Sequence, residues 1–369
     1  MANKQYILIL LFSILIITDC RTCKPNYQIT RVACFNNIRY FDFENRAYRA
    51  GHFAMNSKGD MIIEYSYAQY RLFYGLKKNG KNYFPEETKE IEITSETVDP
   101  SVIARYESTN SFVSLKDDTN KEKEYLMSIS TSQTVLELHD FEEDIYNIKE
   151  ASLVFNSENG INSYIFQILE AKIDDINYYF CVYILEENSQ YNVTIKKFGL
   201  TNFDLEAIAE ATPINVQIAS GRRITSSIII DFYNLIAIFY SRTNKINAYF
   251  YDYDLEYKGM SEASNYDGMY GISYPDGLFF KACYLYDQYM ALVNIYDDHY
   301  FYFKILMLNN ETESFSFTVI NSIQDDSAIS NIVPGITIND FLKTDSDRLI
   351  FLSYKETRVY YIYFILFDL

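Results

Sequence analysis

The sequence predicts an all-β protein assembled from a repeated, roughly four-stranded module. Three observations point there. Short runs rich in Ile, Val, Tyr and Phe, broken by polar turns, dominate the chain after its first residues, and such runs favour strands. Pairs of these runs recur at near-constant spacing. The middle runs, such as Leu235 to Tyr240 and Ala291 to Val293, are continuously apolar, the pattern of strands covered on both faces.

The first element is not part of the fold. One lysine, Lys4, precedes an apolar run from Tyr6 to Ile17 that ends in small or polar residues. These are the n-region and h-region of a secretory signal peptide over residues 1–20, cut after Thr18 or after Cys20. The run is shorter than the about 20 residues a membrane helix needs. No second apolar span follows, so the given chain predicts no transmembrane segment and a secreted, extracellular product. A lipidated Cys20 is disfavoured because Asp19 stands where such signals want a small residue.

Secretion makes disulfides possible. Cys23 and Cys34 lie in the lead-in segment, residues 21–50, and a bridge between them would staple it. Cys181 and Cys283 sit inside apolar runs and read as small buried hydrophobes rather than a long-range bridge. Two sequons, Asn192-Val193-Thr194 and Asn310-Glu311-Thr312, make Asn192 and Asn310 candidate glycosylation sites. Both follow strand-like runs near turns, and Asn310 reads as the more exposed.

The repeating hairpin starts at Met61, Leu126, Phe180, Leu235, Met290 and Leu349, so the intervals are 65, 54, 55, 55 and 59 residues. Further strand-like runs flank it: NSYIFQIL from Asn162, ITSSIIID from Ile224, GLFFKACYL from Gly277, INVQIA from Ile214 and SFSFTVI from Ser314. Four strands in about 55 residues resembles the blade of a β-propeller repeat protein, over residues 51–369. That resemblance is one of fold, without a Trp-Asp or kelch signature, and implies about six to seven four-stranded blades. Radial stacking buries both faces of every sheet and leaves short edges, which a lone four-stranded sheet cannot do. Closure of the ring would come from the N-terminal strands near Tyr40 to Met55. A large β-sandwich, or a pair of them, is the alternative architecture. Leu205 to Glu210 (LEAIAE) is the one modest helix candidate.

Chemistry is sparsely signalled. The chain carries three His and no Trp, and its charge of −18 opposes nucleic acid as a partner. No G-x-S-x-G elbow, phosphate loop or CxxC pair is present. His52, His139 and His299 read as exposed or strand-face residues. Asp297, Asp298 and His299 are adjacent, a poor geometry for one metal, because successive strand residues point apart. Asp252 and Asp254, at i and i+2, could offer oxygens to calcium but lack the rest of a loop, and read as a solvated hairpin end. Glu142-Glu143-Asp144 reads as a charged turn. The Asp- and Gly-rich stretch Asn265 to Gly277 reads as a connection that could carry binding.

The function expected is a non-enzymatic binding or interaction module, without cofactor or metal, that presents a loop face to an extracellular protein or glycan. The alternatives are a propeller-type glycoside hydrolase using funnel carboxylates, with an acid cluster near the axis as its mark, and the N-terminal ectodomain of a larger surface protein.

Overall fold

The computed structural model describes residues 26–30, 49–67, 70–79, 82–92, 111–116, 122–129, 135–140, 144–152, 162–187, 190–201, 204–216, 225–242, 245–265, 279–296, 300–311, 314–325, 337–343, 348–355 and 359–368. The predicted leader, Cys23, Cys34 and most of the Asn265 to Gly277 stretch lie outside them.

The described residues form six antiparallel sheets. Strand β1 (Asn26–Thr30) belongs to the last of these. The first sheet holds β2 (Arg49–Met55), β3 (Met61–Tyr67), β4 (Tyr70–Asn79) and β5 (Asn82–Glu92). The second holds β6 (Ser111–Lys116), β7 (Glu122–Ile129), β8 (Val135–Asp140) and β9 (Asp144–Ser152). The third holds β10 (Asn162–Ile173), β11 (Ile176–Glu187), β12 (Gln190–Thr201), β13 (Asp204–Glu210) and the short β14 (Ile214–Val216). The fourth holds β15 (Thr225–Ile230), β16 (Leu235–Arg242), β17 (Lys245–Asp252) and β18 (Tyr257–Asn265). The fifth holds β19 (Phe279–Tyr286), β20 (Tyr289–Tyr296), β21 (Tyr300–Glu311) and β22 (Ser314–Asp325). The sixth holds β23 (Thr337–Lys343), β24 (Arg348–Lys355) and β25 (Val359–Asp368), with β1 as its outermost strand.

Each recurring hairpin of the sequence forms the second and third strands of a sheet. Neighbouring sheets touch in sequence order, and the sixth returns to the first where β23 meets β2. First strands meet first strands at most of these junctions, which places them innermost. This is the arrangement of a β-propeller, and it does not fit paired sandwich layers. Closure comes from farther upstream than expected. β1 lies antiparallel to β25, from Asn26 opposite Asp368 to Thr30 opposite Phe364. Within the expected stretch, Arg49–Met55 instead supplies the innermost strand of the first sheet.

Packing follows the strand period. In β16, Leu235, Ala237 and Phe239 point into a core shared with the fifth sheet, while Ile236, Ile238 and Tyr240 point into one shared with the third. All six are buried, as the unbroken apolar run requires. Rings interlock across the first of these seams, with Phe250 4.5 Å from Phe315 and Phe239 5.9 Å from Phe317. Polar clamps tie inner strands together. The Gln167 amide donates to the Ser227 carbonyl and accepts from the Ser227 N–H, both at 2.6 Å, and Ser226 Oγ accepts from the Ala282 N–H at 3.0 Å.

Two local expectations change. Leu205 to Glu210 lies within a strand, because β12 offers its edge and pairs with β13 from Lys196–Glu210 to Thr201–Asp204; a segment under two turns long cannot resist that ladder. His139 is fully buried, because it sits on β8 opposite Leu126, inside the sheet, where position outweighs polarity.

Candidate functional site

The hairpin turns that link β10 to β11, β15 to β16, β17 to β18 and β19 to β20, in the third to fifth sheets, share one end of the molecule. Its turns are built by residues that accept left-handed backbone. Asp174 and Asp175, at φ 50° and 65°, form the two-residue β10–β11 turn, whose twist matches its strands. Asp287, at φ 46°, turns β19 into β20. A 3-10 turn, Asp231–Tyr233, stops at left-handed Asn234, whose N–H donates to the Asp231 carbonyl at 3.1 Å.

That turn pushes Phe232 into solvent, 53% exposed, with its ring edge-on to Tyr233 at 4.8 Å. Around it lie phenols from two sheets. Tyr253 donates to Asp231 at 3.2 Å, and Tyr284 donates to the Asp287 carbonyl at 3.0 Å. Tyr233 donates to the Leu308 carbonyl at 3.3 Å. Burial, and then the Asp231 carboxylate, push the Tyr253 hydroxyl well above its ordinary range. Burial pushes Tyr284 up to about 12, against a hydrogen bond from the Phe232 N–H. Both phenols therefore stay protonated at neutral pH and act as donors.

Next to this cluster, the Lys197 ammonium lies 4.5 Å from the Tyr178 ring centre and 5.9 Å from that of Phe180. It sits 3.6 Å from the exposed Asp254 carboxylate of the fourth sheet. Phe180 in turn meets Tyr253 at 5.7 Å. The seam thus offers aromatic faces, fixed donors and carboxylates, the groups that stack on apolar surface and bind polar partners.

One titratable group lies deeper. Glu170, on the innermost strand β10, accepts from Tyr179 at 3.4 Å. Burial raises its pKa to about 7, and the Tyr179 hydrogen bond offsets part of that rise. Burial likewise lowers the pKa of Lys304 on β21.

Among the described residues singled out by sequence, Asp254 joins this seam through Lys197. Asn310 is exposed beside the β21–β22 hairpin, whereas Asn192 is half-buried within β12, between Leu185 and Asn215. Neither Cys181, which is fully buried, nor Cys283 takes part in a disulfide among the described residues. Asp252 and Asp254 pair with different lysines, Lys258 and Lys197. Asp252 holds its own turn, accepting from the Asp254 and Glu256 N–H groups at 3.0 and 2.9 Å and pairing with Lys258 at 2.7 Å. His52 lies in β2 and Asp144 opens β9, while Glu142, Glu143, Asp297, Asp298 and His299 lie outside the described residues. Among the described residues no group of three or more His, Cys, Asp or Glu could hold a metal ion, and no helix is long and apolar enough to cross a membrane. Phe232, Tyr253 and Glu170 were missed. The available signal was DFYN between two apolar runs, where Asn can take the left-handed position that ends the turn.

No family model matches the sequence, and no curated protein does. Solved structures are similar in fold. A six-bladed propeller lectin from Aleuria aurantia shares 10% identity and a TM-score of 0.47 over 87% of this chain and 95% of its own. An α-L-arabinofuranosidase from Fusarium graminearum shares 9% identity and a TM-score of 0.49 over 90% of this chain and 97% of its own. Likenesses of this degree say nothing of what this chain binds.

Proposed function

We propose that the chain is a secreted or cell-surface binding module, non-enzymatic, with six blades behind a signal peptide at residues 1–20. It meets a protein or glycan partner through the turns at one end of its third to fifth sheets. The observation that carries this reading is Phe232, a large ring held in solvent beside the Asp231–Tyr253 hydrogen bond and Tyr284. Burying such a ring on binding is favourable by roughly 2 kcal/mol, and the phenols would supply direction. Asn310, with Asn192 as a second acceptor, would carry N-linked glycan, and Cys23 and Cys34 would bridge.

The test is a screen of immobilised glycans and extracellular peptides with the wild type and Phe232→Ser. The reading expects at least one probe class to bind and to lose most of its signal in the variant. Binding indifferent to Phe232, or no binding to either class, sinks it.

Glu170 favours a second reading, a glycoside hydrolase with a protonated carboxyl near the axis. Turnover of aryl glycosides that disappears in Glu170→Gln would establish it, and turnover unchanged in that variant would discard it.

A further inference from the structure

The same end has a charge character of its own. Asp174, Asp175, Asp231, Asp254 and Asp287 are exposed there. The exposed lysines beside them are engaged: Lys172 lies 3.0 Å from Asp175, and Lys258 lies 2.7 Å from Asp252 and 2.8 Å from Glu256. Among these carboxylates stand two large apolar side chains, Ile176 at 55% and Phe232 at 53% exposure, one on each of two adjacent turns. Apolar groups set among carboxylates suit neither bulk water nor an anionic surface. The molecule already displays one cation in this setting. The Lys197 ammonium rests on the Tyr178 ring with its stem buried and Asp254 at 3.6 Å.

Resting on the binding role proposed above, we infer that this end docks a basic amphipathic segment of a partner protein. Its Lys or Arg groups meet the turn carboxylates, and its apolar side chains cover Ile176 and Phe232. Charge selects this occupant. A second copy of a chain with net charge −18 is repelled, as are anionic lipid and nucleic acid. A neutral glycan could stack on Phe232 but would gain no long-range attraction from the carboxylates.

The experiment is fluorescence anisotropy on the full chain with three labelled probes: a peptide of alternating lysine and leucine, its glutamate–leucine counterpart, and a neutral oligosaccharide mixture. The lysine–leucine peptide is expected to bind and the glutamate peptide not. Asp231→Asn with Asp287→Asn should weaken binding tenfold or more and flatten its salt dependence. Phe232→Ser should weaken it at least fivefold with the salt dependence intact. Glu262→Gln, on the outer strand β18, should change affinity less than twofold, and thermal unfolding checks that each variant is folded. Equal binding by all variants would mean diffuse attraction to an acidic chain and overturn the inference, as would no binding of the lysine–leucine peptide. Oligosaccharide binding lost in Phe232→Ser, with the peptide inert, would overturn the basic-segment inference while leaving the binding role standing.

Discussion

The two faces of the third sheet are built by the same strands and are chemically opposite. Toward the fourth sheet, Leu169, Phe180, Val182, Val193 and Ile195 join Ile236 and Ile238 in a core of apolar side chains. On the other face, alternate residues of β11 are Tyr179, Cys181 and Tyr183, all nearly inaccessible. There Tyr179 donates to Glu170 at 3.4 Å, Tyr183 donates to Glu210, and Lys196 pairs with Glu210 at 3.3 Å. The contrast teaches that covering both faces of a blade does not demand uniform chemistry. The apolar face supplies non-directional stability. The polar face must match each hydroxyl and charge with a partner, and its contribution depends on pH.

The largest expected effect breaks the apolar side. Phe180→Ala removes a ring buried in that core and in contact with Tyr253, and should destabilise the fold by about 3–5 kcal/mol. Urea denaturation measures it. A loss under about 1 kcal/mol, well below the range for buried rings, would mean that the seam between the third and fourth sheets is not closed.

The next effect sharpens the polar side. Burial lifts the Glu170 pKa from 4.5 to about 7, so folding favours its protonated form. The stability this confers is fully present below about pH 4.5, and it is lost as the pH rises through about 7. Unfolding free energy should therefore fall between pH 5 and pH 8 by up to ~3 kcal/mol from this group. Glu170→Gln should flatten the curve in that window. Parallel curves for variant and wild type would show that the carboxyl is not desolvated.

How much of this was legible follows from what a local pattern can encode. The second and third strands of each sheet were readable because their runs are long and their neighbours lie close in sequence. Double burial of β16 was readable from six consecutive apolar residues. The closing strand was not. NYQIT is five residues long and half polar, and its partner Val359–Asp368 lies at the far end of the chain, so nothing near Asn26 announces it. LEAIAE suits a helix by propensity, and only the waiting edge of β12 makes it a strand. Phe232 was hidden because a DFYN turn looks like the end of an apolar run until Asn234 is seen to reverse the chain. Glu170 has the same periodicity as its apolar neighbours, and its role depends on Tyr179 across the ladder.

A smaller effect concerns the outer edge of the third sheet. Pro213 cannot donate to a ladder, and the outer strand divides there into β13 and β14. Ala211 bridges the break: its N–H donates to the Ile195 carbonyl at 2.8 Å, and its own carbonyl accepts from Thr194 Oγ1 at 2.7 Å. Thr194→Val keeps the shape but leaves that buried carbonyl without this donor, and should cost about 1–2 kcal/mol. Thr194→Ser should recover most of the loss. Equal stability of the Val and Ser variants would assign the effect to packing instead.

The smallest effect lies where solvent replaces both kinds of seam. Asp252 serves its turn in two separable ways. One oxygen accepts the Asp254 and Glu256 N–H groups, a task asparagine also performs, and the other pairs with Lys258. Burial acts to raise its pKa, but the Lys258 and backbone hydrogen bonds prevail and hold it below the ordinary value of 3.8. Its stabilisation is therefore present above pH 3.8 and fades as the pH falls through the depressed value. Asp252→Ala, which removes the acceptor, should cost about 1 kcal/mol, as the loss of a capping side chain does. Asp252→Asn, which removes only the charge, should cost a few tenths of that, because an exposed ion pair contributes little. Urea denaturation of both variants at neutral pH separates the two roles. Equal losses would mean that the charge, and not the amide contacts, holds the turn that carries Tyr253 to Asp231.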